Sequence, residues 1–395
     1  MNNFVYQRKT ELVFGQDMLE KLPTEIKKYG NKVLLTYGMS SIKRNGLYDQ
    51  VVTLLNDNNI EFIELSGIKP NPEVTTVREG VKLINEHNID FILAVGGGSV
   101  IDNSKHMILA QACKQDIWDL ILDPSKAKTE SKFIPLGTIL TISATGSEMN
   151  CGGVVTNPET CDKMSIGHPE LAPVFSFLDP NQLTTLPPKQ RVAGLADTLS
   201  HLLENYFTSH NDEGFPDRMA EAMMLNLINY GSDYLSKPDN YESNAQVMLS
   251  ATYALNGVTG LGKKGGEWSV HSIEHDLSAV TDITHGIGLA LIHPYVLDVF
   301  LNKDIEQGLS LIKFVNIGKN VFHLTGTDEE VAVKANQCLK DTFFGWIEKT
   351  KLVDYDIIDF DFDTSINKLI DTKQTNDIYH EFTKADLLYI YTSLS

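Results

Sequence analysis

Three of the chain's eleven histidines crowd into the stretch "WSVHSIEHDLSAVTDITHG": His271, His275 and His285. His271 and His275 are four residues apart, so on a helix both project from one face, about one turn from each other. Earlier, "GLADTLSHLLENYF" repeats the spacing with Asp197 and His201. Thr281 and Asp282 predict that the later helix ends and the chain turns back at His285, so two helical pairs and one returning loop can surround a single point. A carboxylate with imidazoles suits Fe(II), Zn(II) or a similar borderline ion, and the lack of nearby thiolates argues against a structural zinc site. Each histidine alone reads as a hydrogen-bonded core or surface residue; their joint spacing favours one divalent metal.

A second chemistry is written in "AVGGGSVIDNSK", where the apolar run Phe91 to Val95 meets Gly96, Gly97 and Gly98 and a helix is expected from Ser99. Glycines let a phosphate approach the backbone, and the free N–H groups and dipole of a helix start favour an anion there. A pyrophosphate would fit. The alternative is a plain tight turn with Ser99 and Asp102 as a capping box, and the G-x-G-x-x-G fingerprint is absent. In "TILTISATGSEMN", Thr138, Thr141, Ser143, Thr145 and Ser147 place hydroxyls around Gly146, either to line a polar ligand or as an ordinary turn.

The elements that must position these residues divide the chain in two. Between 31 and 180 the β-rich runs "NKVLLTYG", "IEFIELSG", "DFILAVGGG", "FIPLGTIL" and "FSFLDP" alternate with segments such as "PEVTTVREGVKLINEHN", whose Val77, Val81 and Ile84 have helical spacing. That series predicts a mainly parallel sheet with helices on both faces and a ligand at the carboxyl ends of its strands. After "LTTLPPKQR" the periodicity is helical, which puts a boundary near residue 183: an α/β domain over 1–182 and a helical domain over 183–395. The acidic run "DYDIIDFDFD" is expected to be a solvated helix face or a short edge segment.

The 395 residues, 42% hydrophobic and 22% charged, suffice for two domains with real cores. A net charge of −19 would repel nucleic acid and acidic membranes, so neither is an expected partner. No run approaches the roughly 18 apolar residues of a membrane helix, and "MNNFVYQRKTELVFG" lacks the pattern of a signal peptide, so a cytoplasmic location is expected. Cys113, Cys151, Cys161 and Cys338 have no metal or redox spacing and are read as reduced thiols.

Taken in order, "PNPEVTTV", "AVGGGSVID", "ATGSE", "GLADTLSH" and the H-x3-H-x9-H cluster resemble the iron-containing (group III) alcohol dehydrogenases, and "LLTYGMSSIKRNGLYDQV" resembles their NADP-dependent butanol dehydrogenase branch. The resemblance covers nearly the whole chain. It implies a Rossmann-like N-terminal domain, an all-helical C-terminal domain of the dehydroquinate synthase-like fold, a cleft holding nucleotide and metal, and a homodimer. It assigns the metal to Asp197, His201, His271 and His285 and a proton-handling role near the substrate to His275. It assigns the nucleotide to Gly97, Gly98 and Ser99, with Asp102 beside them, to Thr138 and Thr141, and to Asn150 and Lys163. Asn103, Ser104 and His106 depart from the commoner "GGGSxxDxAK" pattern.

The implied reaction is hydride transfer between NADP(H) and a small alcohol or aldehyde, the metal activating the substrate oxygen. Cofactor choice is read from "TYGMSSIKR". An NAD-selecting loop places a carboxylate at the ribose, and this one has none. Gly38 leaves room, Ser40 and Ser41 can donate hydrogen bonds, and Lys43 and Arg44 offer charge to a 2′-phosphate, so NADPH is expected over NADH; a solvated helix start is the alternative. A metal-dependent hydrolase and an inactive nucleotide-binding protein are the competing functions.

Overall fold

A computed structural model of the chain describes every residue except Glu130, Gln374, Asn376 and Asp377. Its strands are β1 (Glu11–Phe14), β2 (Lys32–Tyr37), β3 (Glu61–Leu65), β4 (Phe91–Gly96), β5 (Leu136–Leu140), β6 (Gly152–Asn157), β7 (Asp162–Gly167) and β8 (Phe175–Leu178). Six form one all-parallel sheet in the order β1-β8-β5-β4-β2-β3. The central β4, FILAVG, is buried at every position, as a strand covered on both faces must be. The edge strand β3, EFIEL, carries an exposed glutamate at its start and another near its end, which discourages pairing with a further strand.

Register decides where ligand-facing loops emerge. Val95 lies opposite Tyr37 and Ile139, so β2, β4 and β5 end level and the segments at Gly38, Gly97 and Thr141 leave the sheet side by side. The five strands expected from sequence are all present. Two features were not foreseen: β1, which pairs in parallel with β8 at the far edge, and the antiparallel hairpin of β6 and β7.

From Pro188 onward the described residues form helices and no strands. Chain contacts separate two compact units, one of residues 7–186 with 238–248, the other of 1–6, 187–237 and 249–395. In the second unit the helices Pro188–Tyr206 and His285–Glu306 are buried around most of their circumference, the mark of helices at the centre of a bundle. The acidic run is a 3-10 turn (Leu352–Tyr355) followed by the exposed start of the helix Phe362–Thr372, consistent with a solvated face. None of the four cysteines, all among the described residues, forms a disulfide. Among the described residues no helix is long and apolar enough to cross a membrane.

Candidate metal centre and nucleotide loop

Asp197 and His201 ride on the buried helix Pro188–Tyr206, where 2% and 4% of their surfaces remain exposed. His271 and His275 lie on the helix Ser269–Thr281. Asp282 ends that helix in the left-handed conformation (φ 54°), and His285 opens the next, so the predicted turn-back is real and its histidine is the first helical residue beyond it. Gly286 makes this possible: a Cβ there would stand 2.0 Å from the carbonyl oxygen of Ala193, so only glycine lets the start of this helix press against the backbone of the helix bearing Asp197.

Three imidazoles converge on one carboxylate oxygen. Asp197 Oδ1 is 3.3 Å from His201 Nε2, 3.6 Å from His271 Nε2 and 3.8 Å from His285 Nε2. Donors bound at about 2.0–2.1 Å around a tetrahedral ion stand about 3.3 Å apart; the donor atoms of Asp197, His201 and His271 all lie within 4.8 Å of one another, and His285 Nε2 approaches the same carboxylate oxygen. Asp197 Oδ1 and His271 Nε2 are buried without a hydrogen-bond partner, which is costly unless a cation lies between them. The donor set therefore fits a divalent metal. His275 lies beside the cluster, its ring 5.4 Å from that of His285 and 6.1 Å from that of His271.

Behind the histidines stand two carboxylates that the sequence reading did not single out. Glu204 accepts from His271 Nδ1, from the Val270 N–H at 2.8 Å and from the His271 N–H at 3.2 Å. Glu274 accepts from His285 Nδ1. In a neutral ring, each fixes the tautomer that leaves the Nε2 lone pair on the side of Asp197. Burial pushes His201 down to about 4. His271 is also penalised by burial, yet Glu204 and Asp197 lift it to about 10. Asp197, despite its burial, is held below the usual carboxylate range by His201, His271 and His285. Trp268 packs edge-on against His201 and His271 and walls the cluster with an apolar surface.

At the sheet, the helix Gly98–Cys113 starts one residue earlier than expected, capped by Gly97 with no side-chain contribution. The capping-box alternative is corrected: Ser99 Oγ donates to the carbonyl of Pro70, while Asp102 accepts from Ser147 Oγ at 2.5 Å and from the Val154 N–H at 3.0 Å. A Cβ on Gly98 would lie 2.4 Å from Thr145 Oγ1, so the hydroxyl loop packs directly on the glycine turn. Lys105, missed from sequence, is fully buried and ties this loop to the helix through Ser147 Oγ (2.8 Å), Asn150 Oδ1 (2.8 Å) and the Gly152 carbonyl (2.7 Å). Burial pushes its amine down to about 8.

The remaining expected nucleotide residues are placed variously. Thr141 follows β5 and its N–H donates to Gly96 at 3.1 Å. Thr138 is fully buried inside β5 with its hydroxyl given to Ser176 at 2.7 Å, so that group is committed within the sheet. Asn150 is engaged by Lys105, and Lys163 sits on β7 opposite Thr156. Gly38 follows β2; Ser40 Oγ accepts from Arg44 at 2.9 Å, Ser41 opens a one-turn helix, and the Lys43 ammonium lies 4.4 Å from the ring centre of Tyr48 and 5.1 Å from that of Tyr37.

Comparison with known proteins covers most of both units. Residues 9–180 match the family described as iron-containing alcohol dehydrogenase, and residues 191–395 match the C-terminal domain of the Fe-containing alcohol dehydrogenase family. The NADH-dependent butanol dehydrogenase B of Clostridium acetobutylicum is 45% identical over 87% of this chain and 86% of its own length. The NADPH-dependent aldehyde reductase YqhD of Escherichia coli is 35% identical over 90% and 89%. The crystal structure of NADH-dependent butanol dehydrogenase A from Thermotoga maritima superposes with a TM-score of 0.92 at 35% identity, covering 100% of this chain and 99% of that one.

Proposed function

This chain is a member of the iron-containing alcohol dehydrogenase family, and from that premise we propose that it transfers hydride between NADP(H) and a primary alcohol or aldehyde such as butanol or butanal. The observation that carries the reading is the convergence of His201, His271 and His285 on Asp197 Oδ1, backed by Glu204 and Glu274. In this reading residues 1–182 bind the nucleotide and residues 183–395 hold the metal. A divalent ion at Asp197 would act as a Lewis acid toward the substrate oxygen, and the nicotinamide would supply or accept hydride.

What the chain itself does follows from its side chains. Asp197 and the three imidazoles hold the ion, and Glu204 and Glu274 keep the His271 and His285 rings in donor orientation. Trp268 excludes water from one side of the cluster, and His275, beside the ligands, exchanges the hydroxyl proton with solvent. The N-terminal turn of the helix Gly98–Cys113 receives the pyrophosphate with Gly97, Gly98 and Ser99, and Lys105 with Asp102 keeps the adjoining loop in place. Initial rates with aldehydes from ethanal to hexanal, using NADPH and NADH on protein loaded separately with Fe(II) and Zn(II), test the assignment. Aldehyde-dependent oxidation of reduced nicotinamide is expected; its absence from every combination overturns the reading.

The preference for NADPH rests on the acid-free loop after β2, with Lys43 and Arg44 nearby; the names of the relatives include both cofactors. A Cβ at residue 38 would make only ordinary contact, 3.4 Å from the Ile68 carbonyl, so Gly38→Asp is tolerated sterically. It should raise KM for NADPH by about tenfold or more and change that for NADH little, the new carboxylate repelling a 2′-phosphate and accepting from a 2′-hydroxyl. A higher kcat/KM with NADH in the unaltered enzyme would overturn this loop reading and leave the dehydrogenase assignment standing.

A further inference from the structure

Helix His285–Glu306 carries a metal ligand at its first residue and, near its last, a second convergence of imidazoles on a buried carboxylate. Asp304 is completely buried. Its Oδ1 lies 2.8 Å from His380 Nε2 and 3.2 Å from His210 Nδ1, and its Oδ2 accepts from the Tyr379 hydroxyl at 2.7 Å. The three donor atoms all fall within 4.8 Å of one another. His210 comes from the loop after helix Pro188–Tyr206, and His380 from the segment leading to the last helix, Lys384–Leu394. Nineteen residues along a helix span about 28 Å, so this cluster is separate from the one at Asp197.

The orientation of His210 is the informative detail. Its Nε2 pairs with the Tyr379 carbonyl oxygen at 3.2 Å, and because a carbonyl only accepts, that nitrogen carries the proton. In a neutral ring Nδ1 is then a lone pair. It sits 3.2 Å from Asp304 Oδ1, yet it is buried and forms no hydrogen bond. Two acceptors facing each other at that distance repel unless a cation joins them. Donors on a tetrahedral ion stand about 3.3 Å apart, and these two atoms are 3.2 Å apart. The His380 contact, a hydrogen bond at 2.8 Å, would exchange its proton for the ion and open by about half an ångström to match. The surroundings also suit a metal: the Tyr379 hydroxyl and carbonyl orient the carboxylate and one imidazole as outer partners do, and His210, 29% exposed, leaves a path for solvent as a fourth ligand.

We propose that His210, Asp304 and His380 form a second divalent metal site, of the two-imidazole, one-carboxylate type suited to zinc and similar borderline ions, whose role is to fasten the loop at 207–214 and the C-terminal segment to the helix His285–Glu306. The site does not depend on the catalytic reading, and the two can fail separately.

The test is stoichiometry. The full chain is stripped with chelator and dialysed against Zn2+ alone, and bound metal is counted. The unaltered protein should hold two equivalents, His210→Ala and His285→Ala one each, and the double variant none. His210→Ala should retain aldehyde reduction but lose the part of the zinc-induced rise in Tm that persists in His285→Ala. Tyr379→Phe, which removes only the outer hydroxyl, should weaken the second equivalent by about tenfold or more. One equivalent in the unaltered protein, unchanged in His210→Ala and lost in His285→Ala, overturns the proposal: the cluster is then joined by a proton, and the catalytic site stands. One equivalent lost only in His210→Ala supports this site and removes the metal from Asp197. If His210→Ala fails to fold, cobalt(II) added to a His201→Ala/His285→Ala double variant, which leaves Asp197 with a single imidazole, decides, since visible bands of a low-symmetry N2O site support the proposal and their absence overturns it.

Discussion

Around Asp197 the chain gathers ionisable side chains, three imidazoles with two carboxylates behind them, whereas around Gly97 the working surface is backbone, kept bare by glycine and held in place by side chains that face away from it. The first region works through charge. Its geometry is a set of lone pairs aimed at one point, and each member is replaceable only by a group with the same donor. The second works through shape. Gly98 is required because Thr145 occupies the space a Cβ would need, and Lys105 and Asp102 act on the loop from below. The two regions should therefore break in different ways, the one by losing an ion and the other by losing a fit.

His285→Ala removes one donor of the metal cluster and should lower turnover by about 10³-fold, the rate equivalent of several kcal/mol of lost charge stabilisation. Metal content should fall with it, while NADPH binding, followed by fluorescence titration, stays within twofold or so of the unaltered protein. Full metal content and activity in this variant would remove His285 from the ligand set. His275→Ala should keep its metal and lose about 10²-fold in kcat with an altered pH profile, as for a group that moves a proton. If the metal leaves as well, His275 is a ligand and the line between cluster and neighbour was drawn in the wrong place.

Glu204→Gln sharpens the picture of the outer carboxylates. It keeps a side-chain acceptor but removes the charge behind His271, so metal affinity should fall by about 10- to 100-fold while kcat at saturating metal is largely preserved. Unchanged affinity would mean that Glu204 serves the helix packing alone. On the other side of the comparison, Gly98→Ala forces Thr145 to move, and overpacking of that kind costs about 1–3 kcal/mol of stability; with the loop displaced, nucleotide Kd should rise by about tenfold, or about 1.4 kcal/mol. Metal binding should not change. A variant that loses metal and keeps nucleotide would reverse the division of labour proposed for the two regions.

How much of this could be read from the sequence follows the same division. Strands β2 to β5 and β8 announce themselves as apolar runs bounded by glycine, proline and polar turns, and the convergence on Asp197 is legible because two i, i+4 pairs and a later histidine already imply it. Glu204 and Glu274 are not legible in this way: a glutamate beside apolar residues on a helix reads as solvated until the facing helix is known. Lys105 is hidden for the same reason. The hairpin of β6 and β7 is not legible because the alternate positions that β6 buries are Gly153, Val155 and Asn157, only one of them a large apolar residue, and β1 because four residues of "ELVF" carry too little pattern to separate a strand from any short apolar run. The hydroxyl-rich segment carries no direction in its composition. Thr138 turns into the sheet and Ser147 toward Asp102, a choice made by strand register that composition does not contain.

Gly286 has a meaning for anyone who would redesign this protein. With no space for a Cβ beside Ala193, residue 286 is locked to one amino acid, and the neighbouring His285 inherits its place from the meeting of two main chains. Libraries that aim to reshape the surroundings of the imidazole cluster can vary Trp268, but randomising residue 286 would mostly break the packing that sets His285, and moving His285 relative to helix Pro188–Tyr206 would require rebuilding that crossing from the backbone up.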